Sequence, residues 1–143
     1  MLNVYLDVDG VLRGCASPKE DIEEFLWFCL KNCYCYWLTS YCRGDINIAV
    51  DKIGNVSQKL KFELQTKVQS TNWHSSKTEA IDSSEPFVWF DDNAPTHMLA
   101  ELNNYGPNAS KNFYWVDSSD PESAKKMLEF LKARTSEAVQ AGS

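Results

Sequence analysis

Apolar residues fall along this chain in short dense runs, separated by stretches with a three-to-four-residue rhythm. Val4-Tyr5-Leu6 opens a run that continues through Val8, Val11 and Leu12 and carries Asp7 and Asp9. Uninterrupted runs of this kind mark strands buried on both faces of a parallel sheet. Tyr34–Leu38, Phe87–Phe90 and Phe113–Val116 repeat the pattern. Between the first two, Ile22, Phe25, Leu26 and Cys29 share one helical face, preceded by Ser17-Pro18-Lys19-Glu20. This predicts a helix over 18–32, with Ser17 at the N-cap, Pro18 at the first helical position and Glu20 closing a capping box. Ile46, Ala49, Val50 and Ile53 predict a second helix, stopped at Gly54. Ser76 and Glu79 have capping-box spacing, which predicts a short helix with Lys77 in its first turn. Asn93-Ala94-Pro95 opens a helix toward Leu102, and Asp120-Pro121 opens one with Ala124, Met127, Leu128 and Leu131 on its inner face. From 58 to 68 the rhythm becomes alternation. Leu60, Phe62, Leu64 and Val68 are apolar, while Lys59, Lys61, Glu63 and Lys67 are polar. That reads as a half-exposed strand or part of a hairpin, a small insert within 56–72.

Strands alternating with helices predict an α/β domain over residues 1–134: a Rossmann-like, doubly wound, mainly parallel sheet with helices on both faces. The tail, 135–143, is expected to be disordered. A chain of 143 residues, 43% hydrophobic, can bury a single sizeable core. Its net charge of −6 argues against a generally basic nucleic-acid surface, though not against a local basic patch. No apolar run approaches the roughly 20 residues that span a bilayer, so no membrane association is expected. The first residues enter a strand directly, with no basic flank or cleavage site. Of five cysteines, Cys29, Cys33, Cys35 and Cys42 cluster in one helix–strand unit and Cys15 stands apart. Their spacing fits no zinc pattern, and buried free thiols in a reducing cytoplasm are the expectation.

Asp7 and Asp9 close the first run, and ligands of open α/β sheets bind beyond the carboxyl ends of the strands. Both acids can face that edge only if the chain curls there, which Gly10 permits. Acids so close invite a divalent cation, or a division of labour between nucleophile and proton donor. Further polar groups follow the other strands in order: Thr39-Ser40, then Lys77 ahead of the third strand, then Asp91-Asp92-Asn93. This order resembles the four motifs of the haloacid dehalogenase superfamily, most of whose members are Mg²⁺-dependent phosphatases. The resemblance runs through motifs within residues 2–117.

The resemblance implies a phosphatase in which Asp7 attacks phosphorus to form an aspartyl-phosphate. Asp9 is the implied general acid and base, and its carbonyl a metal ligand. Thr39 would bond a phosphoryl oxygen, in preference to Ser40, and Lys77 would neutralise charge. Mg²⁺ would be held by Asp7, Asp9 and the Asp91–Asp92 pair, with Asp92 preferred as the direct ligand and Asp91 as its partner. Asn93 either orients metal-bound water or caps a helix. Trp73 either lines the substrate entrance or packs in the core, and Arg43-Gly44 could reach a substrate. His74 and His97 are not expected as ligands. Many relatives insert a cap after the first motif or between the third and fourth. A crossover helix fills the first interval here and the second is too short, so a capless enzyme acting on a large or exposed phosphate ester is expected.

Other readings place different functions on the same residues. Short phrases such as Trp37-Leu38-Thr39-Ser40-Tyr41 are similar to the small phosphatase-like domains of RNA-repair proteins, which would make a polynucleotide end the substrate. A non-catalytic phosphate-binding module of the same superfamily is a further alternative. A two-component receiver domain shares the residue types but not their order, since its acidic pair closes the first strand.

Overall fold

The computed structural model describes residues 1–39, 46–54, 56–106 and 109–142, with the backbone alone at 46 and 138–142. The four apolar runs form the strands β1 (Leu2–Leu6), β2 (Cys33–Trp37), β3 (Phe87–Asp91) and β4 (Phe113–Trp115). They make one parallel sheet in the order β2-β1-β3-β4. The helices are α1 (Lys19–Asn32), α2 (Ile46–Ile53), α3 (Gln58–Lys67), α4 (Thr96–Asn103) and α5 (Ser123–Gly142). Two 3-10 turns cover Lys77–Ala80 and Ala109–Asn112. The α/β, Rossmann-like fold class read from the sequence is therefore what the chain adopts.

Strand alternation divides the core into two layers, one on each face of the sheet. Leu2, Val4 and Leu6 of β1, with Val88 and Phe90 of β3, pack against residues of α1, α2, α3 and α5. Tyr5, Phe87 and Trp89 point the other way, toward Ile81, Leu102 of α4 and Ala109. The second layer is aromatic: Trp89 meets Phe113 edge-on with centroids 4.8 Å apart, and Tyr5 stacks on Tyr36 at 5.1 Å. Such pairs add about 0.5–1.5 kcal/mol beyond burial.

Two expectations need correction. Residues 58–67 are the helix α3, not a strand or hairpin. Leu60, Leu64 and Val68 are spaced by four, so they satisfy helical as well as alternating rhythm, and all three are buried. Only Phe62 demanded alternation, and it lies 62% exposed. The Ser57 hydroxyl starts the helix by accepting the Leu60 N–H at 3.3 Å. The strand-like contact comes one residue after Val68: the Gln69 carbonyl accepts from Trp37 N–H at 2.8 Å, and its own N–H donates to Cys35 at 3.0 Å.

Ser17, expected to cap α1, faces the opposite end of the chain. Pro18 holds the N-cap position without a side-chain bond. The Ser17 hydroxyl meets Ser123 Oγ at 2.6 Å and accepts the Ala124 N–H at 2.9 Å. It thus satisfies a free donor in the first turn of α5, a long-range use of a residue type that usually caps its own helix. At the far end of the chain α5 runs to Gly142.

Cys29, Cys33 and Cys35 are buried free thiols and Cys15 is a partly buried one; Cys42 lies outside the described residues. Burial pushes Cys33 up to about 12 and Cys29 well above the ordinary thiol range. These are packing groups in their protonated form. No described helix is long and apolar enough to cross a membrane.

Candidate active site

β1 leads through α1 to β2 on one side of it, while β3 leads to β4 on the other. The connections therefore diverge between β1 and β3, and the crevice at such a switch point is where open α/β sheets bind ligands. Leu6 pairs with Phe90, so the next residues, Asp7 and Asp91, end the two strands side by side. The ladder reaches that point, because Asp7 N–H donates to the Phe90 carbonyl at 3.1 Å. In strand parity Asp7 and Asp91 follow Tyr5 and Trp89, toward the layer that contains the Lys77 turn.

Lys77 reaches both acids, 2.8 Å from Asp91 Oδ2 and 3.5 Å from Asp7 Oδ1. Its turn carries the expected capping box, with Ser76 accepting from Thr78 N–H and Glu79 accepting from Ser76 N–H. Glu101 of α4 adds an anchor that the sequence reading missed. Its Oε2 accepts from Ser76 Oγ and Thr78 Oγ1, both at 2.8 Å. These hydroxyls flank Lys77, so α4 fixes the turn that aims the ammonium. The Glu101 carboxyl is held below its usual range, first by the Thr78 hydroxyl and then by Ser76.

Asp92 completes the cluster: oxygens of Asp7, Asp91 and Asp92 lie within 4.8 Å of one another. The carboxyl of Asp92 packs on Gly10, where a Cβ would clash with it, and Gly10 has φ of 77°. Glycine is therefore required twice, for the left-handed backbone and for the close approach. Asp91 is almost wholly buried and its Oδ1 accepts the Asn93 N–H at 3.0 Å. Asn93 does not cap α4, whose N-cap position is Pro95.

Asp9 lies outside the three-carboxylate cluster. Its half-exposed side chain faces the Arg13 guanidinium at 3.5 Å, across a turn in which Gly10 N–H donates to the Arg13 carbonyl at 2.8 Å. Arg13 is a second residue the sequence reading missed. Thr39 is buried just beyond β2, next to Leu38, whose N–H donates to Leu6 at 2.8 Å. Ser40, Arg43 and Gly44 lie outside the described residues. Trp73 is partly buried against the aromatic layer, so its packing reading holds. His74 and His97 take no part in the carboxylate cluster.

Three carboxylates gather beside one ammonium here, and burial with mutual repulsion shifts two of them. Asp7 is pushed up to about 7, first by burial, then by repulsion from Asp91, with Lys77 pulling the other way. Asp92 is also raised, first by burial and then by Asp91. Once ionised, the three carboxylates would exceed the single ammonium in charge, an oxygen-rich arrangement suited to a hard divalent cation. Searches against family models, curated proteins and solved structures found no match for this chain.

Proposed function

We propose that this chain is a Mg²⁺-dependent phosphohydrolase of the haloacid dehalogenase type, with Asp7 as nucleophile. The observation that carries the proposal is Asp7 itself: nearly buried at the switch point, beside Asp91, with the Lys77 ammonium shared between them. A carboxylate attacks an anionic phosphate poorly unless positive charge is fixed where the two meet. Lys77 supplies part of that charge. Mg²⁺, held by Asp7, Asp92 and the Asp9 carbonyl, would neutralise the rest and polarise the phosphoryl group.

In the first step an Asp7 carboxylate oxygen bonds to phosphorus and the ester P–O bond breaks. Asp9, as general acid, would pass a proton to the leaving oxygen, so that the alcohol departs neutral. In the second step the Asp9 carboxylate takes a proton from water as that water attacks phosphorus. The P–O bond to Asp7 then breaks and inorganic phosphate leaves. Arg13 restrains Asp9 at the mouth of the site, and Asp91 keeps Lys77 turned toward the transferring group. The Thr39 hydroxyl, buried just beyond β2, would donate to a phosphoryl oxygen.

The substrate is a large or exposed phosphate ester. Support comes from the segment 58–67, which lies as α3 against α1 and α2 instead of forming a lid over the strand ends. The test compares Asp7→Asn and Asp9→Asn with the unmodified chain on a panel of phosphate esters with Mg²⁺. Asp7→Asn should lower turnover by roughly a thousandfold or more. Asp9→Asn should penalise poor leaving groups far more than good ones. Undiminished turnover in Asp7→Asn defeats the proposal, and absence of hydrolysis in the wild type favours a phosphate-binding module.

A further inference from the structure

Trp115 ends β4 in register with Asp91, so Asp7, Asp91 and Trp115 form one row across the carboxyl edge of three adjacent strands. At about 4.8 Å per strand, the Trp115 backbone stands roughly 10 Å from that of Asp7. Among the described residues Trp115 is the most exposed large apolar side chain, at 73%. Its indole is nonetheless oriented, because Nε1–H donates to the Asp92 carbonyl at 2.7 Å. An open groove of about 350 Å³ lies beside it, lined by Asp92, Asn93, Ala94, Leu99, Phe113 and Trp115.

We infer that this groove is a subsite for a planar heteroaromatic ring, of the nucleobase class, carried by the leaving group of the substrate. Its position supplies the continuity, since Asp92 belongs both to the carboxylate cluster and to the groove wall. A phosphoryl group at Asp7 would place a pentose across the row and its ring at Trp115. The floor is apolar, from Ala94, Leu99 and Phe113, which suits the face of a ring. The rim is polar at Asn93, which suits the hydrogen-bonding edge of a heterocycle better than a plain aryl group. An indole already fixed in orientation loses little freedom on stacking. Trp115 is on this reading a specificity residue. The inference deepens the phosphohydrolase reading and rests on it for the chemistry, but not for ring binding.

The test uses two esters that differ only by the ring, adenosine 5′-monophosphate and ribose 5-phosphate, with Mg²⁺ and the full chain. Trp115→Ala should reduce the kcat/KM preference for the nucleotide by roughly five- to a hundredfold, the range of one lost base stack, chiefly through KM. Trp115→Phe retains a ring but not the bond to Asp92, and should keep most of the preference. An unmoved preference in Trp115→Ala overturns the inference. So does equal loss in both variants, which would make Trp115 a positioning residue for Asp92. A second measurement needs no turnover: adenosine, but not ribose, should shift the Trp115 indole N–H resonance of the metal-free protein. Equal response to both ligands overturns the subsite. If neither ester is hydrolysed while adenosine still shifts that resonance, the subsite stands and the phosphohydrolase reading fails.

Discussion

Asp7→Asn should stabilise the metal-free protein, and the gain should grow with pH. In the folded chain Asp7 titrates at about 7, against 3.8 ordinarily, because it is buried beside Asp91 and only partly compensated by Lys77. A folded-state value above the unfolded one means that the folded protein holds the extra proton between about pH 4 and 7. Stability therefore falls as pH rises through that window. Below it both states are protonated and there is no penalty; above it the full penalty applies, about 4 kcal/mol. Some 3 kcal/mol of this accumulates between about pH 5 and pH 8. That is large against a total stability of about 5–15 kcal/mol. Asparagine is nearly isosteric and never ionises, so the variant escapes the loss. Urea denaturation followed by tryptophan fluorescence at both pH values measures the gap between variant and wild type. The gap should widen by about 3 kcal/mol toward high pH. Adding Mg²⁺ at a hundred times its Kd should return about 2.7 kcal/mol to the wild type at pH 8. A gap that stays constant within about 1 kcal/mol would refute the electrostatic account of the cluster.

Other perturbations probe how the cluster is held. Gly10→Ala puts a methyl within 2.5 Å of the Asp92 carboxyl carbon and a side chain at φ of 77°. It should destabilise the protein by about 1–3 kcal/mol and weaken Mg²⁺ binding by calorimetry, whereas Gly14→Ala, with open space around it, should show only the backbone strain. Glu101→Gln keeps the size of the side chain but removes the charge that accepts both Ser76 and Thr78. Lys77 should lose its fixed aim, with kcat falling roughly tenfold at little change in KM; an unchanged kcat would assign Glu101 to packing alone.

Much of this architecture is legible in the residues because parallel strands buried on both faces announce themselves as unbroken apolar runs. Asp7, Lys77 and Asp91 could be placed at one edge since each closes or precedes such a run. The chain was least legible where one pattern served two geometries, as in 58–68, where Leu60, Leu64 and Val68 fit both periods. Long-range polar contacts were hidden for a different reason. Nothing local tells that Ser17 serves α5 or that Glu101 reaches the Lys77 turn, because both bonds depend on how distant elements pack. Arg13 was the more accessible omission, four residues beyond Asp9 on a turn that brings the two together. Trp115 could be assigned to a strand, but its exposure required knowing that β4 is the sheet edge.

The charge imbalance also bears on what the site is for. A fold selected only for stability would not keep carboxylate oxygens of Asp7, Asp91 and Asp92 within 4.8 Å of one another, since replacing any one would relieve repulsion. The three are held together by separate devices: Asp7 by the β1 ladder, Asp91 by Lys77 and the Asn93 N–H, and Asp92 by contact with Gly10. Such redundancy keeps the repulsion from being relaxed by a local shift. A dianionic phosphate entering this cluster would deepen the imbalance, so the ester alone is not the natural complement of the site. On the proposed reading a divalent cation would come with the phosphate: it would offset the excess negative charge of the ionised cluster, and Lys77 would remain to meet the phosphoryl oxygens. The cation should therefore bind first, and phosphate affinity should depend on it. Isothermal titration of inorganic phosphate with and without Mg²⁺ tests the order; phosphate binding of equal strength in both would show that the cluster does not work as a metal-assisted anion site.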